Sequence, residues 1–208
     1  MAKKVAESAH EALSKGRLEA LTDGVFAFAM TLLILAIGVP HQLPQGGPGD
    51  QVVVFLASML PSLAQFVIAF LVLAGFWVSH HLTFDRIRHV DRNMIWLNLL
   101  GLLFIVFIPF STQLADNFGS FPSASIVFEA NILAVGLIYF AQWRYACRMS
   151  DMAVCPADPE DYALAEKRIL VMPGVSLLAI IVALAGSTWS TLLYALLPFL
   201  YMIFSRKD

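Results

Sequence analysis

Six stretches of this chain are apolar over lengths that a soluble fold does not tolerate: residues 21–39, 52–78, 94–114, 121–143, 169–185 and 188–204. A helix that crosses a bilayer needs roughly 20 mostly apolar residues, with a range of about 17–25. With 59% of its 208 residues hydrophobic and only 13% charged, the chain carries too little charge to cover a soluble surface. The expected fold is an all-α integral membrane protein, a single six-span domain over residues 1–208. The second stretch is long and holds Pro61 and Gln65, so a kink or tilt is expected there. The fifth and sixth are short and joined by Gly186-Ser187, which predicts a helical hairpin, with a re-entrant hairpin as the alternative.

The basic residues orient these spans. Lys3, Lys4, Lys15 and Arg17 precede the first, and Arg86, Arg88 and Arg92 lie between the second and third. Arg144, Arg148, Lys167 and Arg168 lie between the fourth and fifth, and Arg206 and Lys207 follow the sixth. The other three connections hold no Lys or Arg, so all 13 basic residues fall on one side. The positive-inside rule makes that side cytoplasmic, with both termini there. The stretch before the first span is too long, and with Glu7, Glu11, Glu19 and Asp23 too acidic, for a signal peptide. No basic tract suggests nucleic acid. Cys147 and Cys155 sit in a polar stretch without a His cluster, which indicates neither a zinc site nor a disulfide framework and leaves them as free thiols.

Several channel and transporter designs are excluded. No span carries a row of arginines, so there is no voltage-sensor helix. No TVGYG-like loop supplies a carbonyl-lined filter. No internal duplication suggests two transporter repeats. A transport path in so small a chain would form most naturally between the subunits of a symmetric oligomer.

The first span carries a pattern of its own. Positions three and four apart share a helix face. Stepping from Leu21 gives Gly24, Phe28, Thr31 and Leu35, with Leu32 beside them. This spacing lets copies of one helix pack around an axis. A ring of Phe28 side chains could close a water column by dewetting, and a ring of Thr31 hydroxyls could contact a partly dehydrated cation. The plainer alternative is ordinary helix packing, with Thr31 bonded to its own backbone one turn back. Asp23 heads the same helix, and an acid at the mouth of a membrane helix is costly unless it has a partner. Glu19 lies four residues before it and repels it; Arg17 falls on another face. The partner is therefore expected from the end of the second span, Phe76 to His81, or from Arg86 and Arg88.

These residues carry a resemblance. Arg17-x-x-x-Leu21-Thr22-Asp23 resembles the Arg-x-x-x-Phe-Ser-Asp signature of the transmembrane-protein-175 family, the endolysosomal potassium channel and its bacterial homologues. Trp77 with His80 and His81, Asn98, and Pro109-Phe110-Ser111-Thr112 support it. The resemblance implies a homotetramer whose central pore is lined by the first helix of each subunit and conducts potassium without the usual filter. It carries the constriction onto Phe28, the pore threonine onto Thr31, and apolar pore positions onto Leu32 and Leu35. It carries the signature network onto Arg17, Thr22, Asp23, Trp77, His80, His81 and Asn98. Leu21-Thr22 replaces Phe-Ser, keeping an apolar group and a hydroxyl. Phe28 stands where family members usually have Ile or Leu, and the larger ring should make a tighter constriction, or one that opens by rotamer change.

The expected function is a potassium-permeable cation channel in a bacterial plasma membrane, not an enzyme, with no cofactor. Its expected partners are potassium ions, the lipid bilayer and three more copies of itself. Two alternatives differ in class. A proton-coupled carrier would use Glu129, about eight residues and roughly 12 Å from the outer end of the fourth span, unless that acid pairs with Asn131 or snorkels outward. A metal-dependent intramembrane hydrolase would use His80, His81, Asp23 and Asp85 as ligands.

Overall fold

A computed structural model describes the backbone of residues 2–35, 37–38, 51–149, 152–153, 155–156 and 158–205, and side chains within 15–202 of these. Among the described residues all regular structure is helical. The order is α1 (Ala2–Leu35), α2 (Gln51–Ser58), α3 (Leu60–Asp85), α4 (Arg92–Asn117), α5 (Pro122–Arg148) and α6 (Pro159–Leu184). A 3-10 segment (Ser190–Leu196) then runs into α7 (Leu197–Ser205).

Local chemistry sets these boundaries. The expected bend in the second span is a break at Met59, dividing it into α2 and α3, with Pro61 in the first turn of α3. Proline fits there because first-turn N–H groups have no intrahelical acceptor. Asp91 caps α4 by accepting a 2.8 Å bond from the Met94 N–H, and Asp158 caps α6 by accepting one from the Glu160 N–H. Asp91 also accepts the Tyr145 hydroxyl, tying the end of α5 to the start of α4. At the same end Arg144 Nη1 meets Glu166 Oε1 at 2.8 Å, joining α5 to α6. Gly186, at φ 89°, turns the chain out of α6, at the expected hairpin.

Among the described residues, five helices are long and apolar enough to cross a membrane: Lys15–Leu35 of α1, and α3, α4, α5 and α6. The sixth stretch departs from expectation. It is a shorter apolar helix, Ser190–Met202, that starts in 3-10 form. The 3-10 geometry rises about 2.0 Å per residue against 1.5 Å in an α-helix. Ser190 to Ser205 therefore reach about 27 Å, close to the roughly 30 Å of a bilayer core. Val39, at the expected end of the first span, lies outside the described residues.

Helix α5 is the centre of the bundle, packed most extensively against α4 and α6. At Gly136 an added Cβ would stand 2.7 Å from Pro173 Cγ, so the bare backbone lets α5 approach α6. The main core gathers Phe26 and Leu33 of α1, Val72 and Phe76 of α3, Ile105 of α4, Phe128 and Ile132 of α5 and Met172 of α6. A second cluster lies at the basic end, where Leu18, Phe84, Ile87 and Met94 pack with Ala146, Met152 and Ala153. Large apolar side chains such as Leu103, Phe110, Leu177 and Ile181 stay exposed, as lipid-facing residues must.

The cysteines correct the sequence reading. Cys147 and Cys155 are joined in a disulfide, with Cα atoms 5.7 Å apart. The connection after α5 turns back on itself, where Met152 O accepts the Arg88 N–H and Ala153 bridges Ile87. That return brings together two thiols which their linear spacing leaves apart.

Candidate functional site

Helix α1 presents two faces. Leu18, Thr22, Phe26, Ala29 and Leu33 are buried against the bundle. Leu21, Gly24, Phe28, Thr31 and Leu35 are exposed, Phe28 at 73% and Leu35 at 76%. Each set steps by three and four residues. At 3.6 residues per turn their mean directions differ by about 140°. The chain's own fold thus leaves the seam read from spacing without cover, and Leu32 beside it is 44% exposed. Thr31 Oγ1 donates to the Phe28 carbonyl at 2.9 Å, as the packing alternative anticipated. The bond uses the hydroxyl proton and leaves oxygen lone pairs on the outer face.

Behind this helix runs a buried polar chain. Thr22 Oγ1 donates to the Leu18 carbonyl at 2.9 Å and accepts Asn98 Nδ2 of α4, also at 2.9 Å. Asn98 Oδ1 in turn lies 2.9 Å from His80 Nε2 of α3. Because that oxygen can only accept, His80 donates from Nε2. Donation therefore runs in one direction from α3 through α4 into α1. Thr22 and Asn98 are fully buried, and the His80 ring is stacked on Phe84 at 4.0 Å.

A second contact lies at the surface, one residue along α1. Trp77 Nε1 donates to Asp23 Oδ1 at 2.8 Å. The partner of Asp23 comes from the expected stretch of α3 and is the indole; neither histidine bonds it. His81 stacks on Trp77 at 5.7 Å and lies 3.6 Å from Asp85. Glu19 pairs with Lys15 at 3.5 Å. Arg17 is exposed and joins neither contact among the described residues.

The hydrolase ligand set is not assembled. His80 is committed to Asn98 and Asp23 to Trp77, while His81 and Asp85 form a separate pair. Glu129 also differs from expectation. It is fully buried, so it does not snorkel, and Asn131 instead donates to the Phe104 carbonyl and Ser111. Sequence reasoning missed the depth of Thr22. The signal was present, since Thr22 lies midway between Leu18 and Phe26 on the buried face.

Comparison with known proteins gives a consistent answer. The family model described as "Endosomal/lysosomal potassium channel TMEM175" matches residues 17–109, which contain both α1 faces, α3 and the network. A potassium channel of Chamaesiphon minutus is 32% identical over 82% of this chain and 85% of its own. A potassium channel of Streptomyces collinus is 38% identical over 64% and 65%. The mouse protein named endosomal/lysosomal proton channel TMEM175 is 30% identical over 93% of this chain, which spans 42% of the mouse length. Among solved structures, the lysosomal potassium-selective channel TMEM175 homologue from Chamaesiphon minutus superposes with a TM-score of 0.71 at 26% identity, covering 92% of this chain and 98% of that one. The chain is a multi-helix membrane protein that belongs to the TMEM175 family.

Proposed function

We infer that residues 1–208 form one subunit of a homotetrameric, potassium-permeable channel in a bacterial plasma membrane, with six spans and both termini cytoplasmic. The observation that carries this reading is the uncovered seam of α1. Phe28, Leu32 and Leu35 take no part in the core of one subunit, and among them Thr31 sets a hydroxyl oxygen that lipid cannot use; four copies around an axis would cover them. The Phe28 rings form the constriction, which holds water out until they separate. The Thr31 oxygens, one turn on, receive the ion as it sheds water.

The two polar contacts set the rotation of that helix. Thr22 and Asp23 are successive residues, so their side chains leave α1 about 100° apart. One is held from α4 through Asn98 and the other from α3 through Trp77. Turning α1 in either direction strains one of them, which keeps Phe28 pointed at the axis.

Potassium flux into liposomes tests the pore assignment. Phe28→Ala should raise flux several-fold, and Thr31→Val should change the preference for potassium over sodium. Unchanged flux and preference in both variants contradict it.

A proton-coupled carrier has one observation in its favour. Glu129 is buried in α5 and interacts with Ser190, yet neither group closes a hydrogen bond of normal geometry. Glu129 lies outside the α1 seam. Flux driven by a pH gradient and abolished by Glu129→Gln would establish the carrier; potassium flux surviving that change supports the channel.

A further inference from the structure

The disulfide between Cys147 and Cys155 lies at the basic end of the bundle, with Arg86, Arg88, Arg144 and Arg148. The positive-inside rule puts that end in the cytoplasm. There the glutathione and thioredoxin pools keep thiols reduced, and a disulfide is as a rule transient or redox-sensing. A permanent bridge conflicts with that placement, whereas a reversible one agrees with both observations. Both cysteines are only half-buried, so a small thiol or disulfide can reach them, as exchange requires.

What the bridge encloses gives it an effect. Between the cysteines lie Met152 and Ala153, both buried. Met152 O accepts the Arg88 N–H at 2.7 Å, and Ala153 pairs with Ile87, just after α3. Met152 and Ala153 belong to the apolar cluster that holds Phe84 of α3 and Leu18 of α1. The Leu18 carbonyl in turn accepts the Thr22 hydroxyl. The returning connection is thus seated against the cytoplasmic ends of α3 and α1 by a few contacts. A segment held so lightly opens at low cost unless a cross-link restrains it.

We propose that Cys147 and Cys155 are a reversible redox pair, open as two thiols in the resting cytoplasm and closed by exchange with a small-molecule disulfide, and that closure steadies the ends of α3 and α1. One cysteine thiolate attacks the small disulfide, releasing one thiolate and leaving a mixed disulfide. The second cysteine thiolate attacks the protein sulfur of that mixed disulfide and releases the other thiolate. The two cysteines lose two electrons and two protons, and the small disulfide is reduced to two thiols. This switch rests on the cytoplasmic placement inferred for the basic end.

Sealed membrane vesicles holding the full-length protein test the placement first. After reduction with a permeant thiol, a membrane-impermeant maleimide should label Cys147 and Cys155 in inside-out vesicles and not in right-side-out ones. Labelling from the outer side alone overturns the placement and the switch together. With the purified protein, mass spectrometry after alkylation should find the pair open in excess reduced glutathione and closed again by oxidised glutathione. A pair that stays closed is a structural bridge and overturns the proposal, as does a pair that never closes. Trypsin reads the effect on the connection. The Arg148–Met149 bond lies inside the bridge and Arg148 is exposed, so reduction should speed cleavage there by about tenfold or more. The Cys147→Ser/Cys155→Ser protein should be cleaved at the fast rate in either form of glutathione. Equal rates for the two wild-type states overturn the proposal. Potassium flux should likewise shift between the two wild-type states and not between those of the Cys147→Ser/Cys155→Ser protein. Wild-type flux that oxidation leaves unchanged overturns the proposal; a protein that conducts in neither state contradicts the channel instead, and the cleavage rates then decide the switch.

Discussion

Replacing Asn98 by Leu strands a buried donor. His80 loses its acceptor, and Thr22 keeps only its bond to the Leu18 carbonyl. An unsatisfied buried group costs about 1–3 kcal/mol, so Asn98→Leu should lower the thermal stability of the purified protein clearly. An unchanged melting temperature would mean that the chain contributes nothing. At this scale the sequence was partly legible. Spacing alone separated Phe28, Thr31 and Leu35 from the rest of α1. It also placed the partner of Asp23 at the end of the second span or at Arg86 and Arg88, but it did not choose Trp77 over the histidines or the arginines. The indole and the histidines lie within one turn of one another, and only the packing of α3 against α1 decides which side chain reaches across. The disulfide was not legible at all, because it depends on the path of the connection after α5.

At the scale of the element, α1 is held as a rotor with two stops. Thr22 is fixed from α4 and Asp23 from α3, so the indole and the carboxylate should act as one unit. Trp77→Phe and Asp23→Leu are each expected to alter potassium flux, and the double variant should be no worse than the more severe single one. Residues that share an interaction fail to add in this way. Full additivity would show that they work separately. Pro61 marked the bend in the second span, but the caps Asp91 and Asp158 were not read from the sequence, and α6 begins at Pro159 and not at residue 169. The 3-10 form of Ser190–Leu196 was not read either. Hydropathy scores an apolar stretch without regard to its rise per residue, so it could not report that a short segment reaches nearly as far as a longer α-helix.

The molecule as a whole is a bundle centred on α5, with α1 at its side and the seam of α1 left open. The fold class and number of apolar stretches were legible because backbone hydrogen bonding leaves a membrane segment few choices. The assembly was not, since exposure to lipid and exposure to a neighbouring subunit look alike within one chain. A tetramer predicts a purified complex of four 22.9 kDa chains by mass measurement; a monomer would leave the α1 seam facing only lipid.

Cysteine accessibility separates those two surroundings most directly. In a Cys147→Ser/Cys155→Ser background, single cysteines would be placed at Phe28, Thr31 and Leu35, and at Ile34. Ile34 is 46% exposed but about 100° around the helix from the seam. A pore-lining seam predicts that a charged, water-soluble thiol reagent blocks potassium flux at positions 28, 31 and 35 and leaves position 34 untouched. Block at position 34 alone, or no block at any of the four in a conducting protein, would contradict the assignment of α1 as the pore wall.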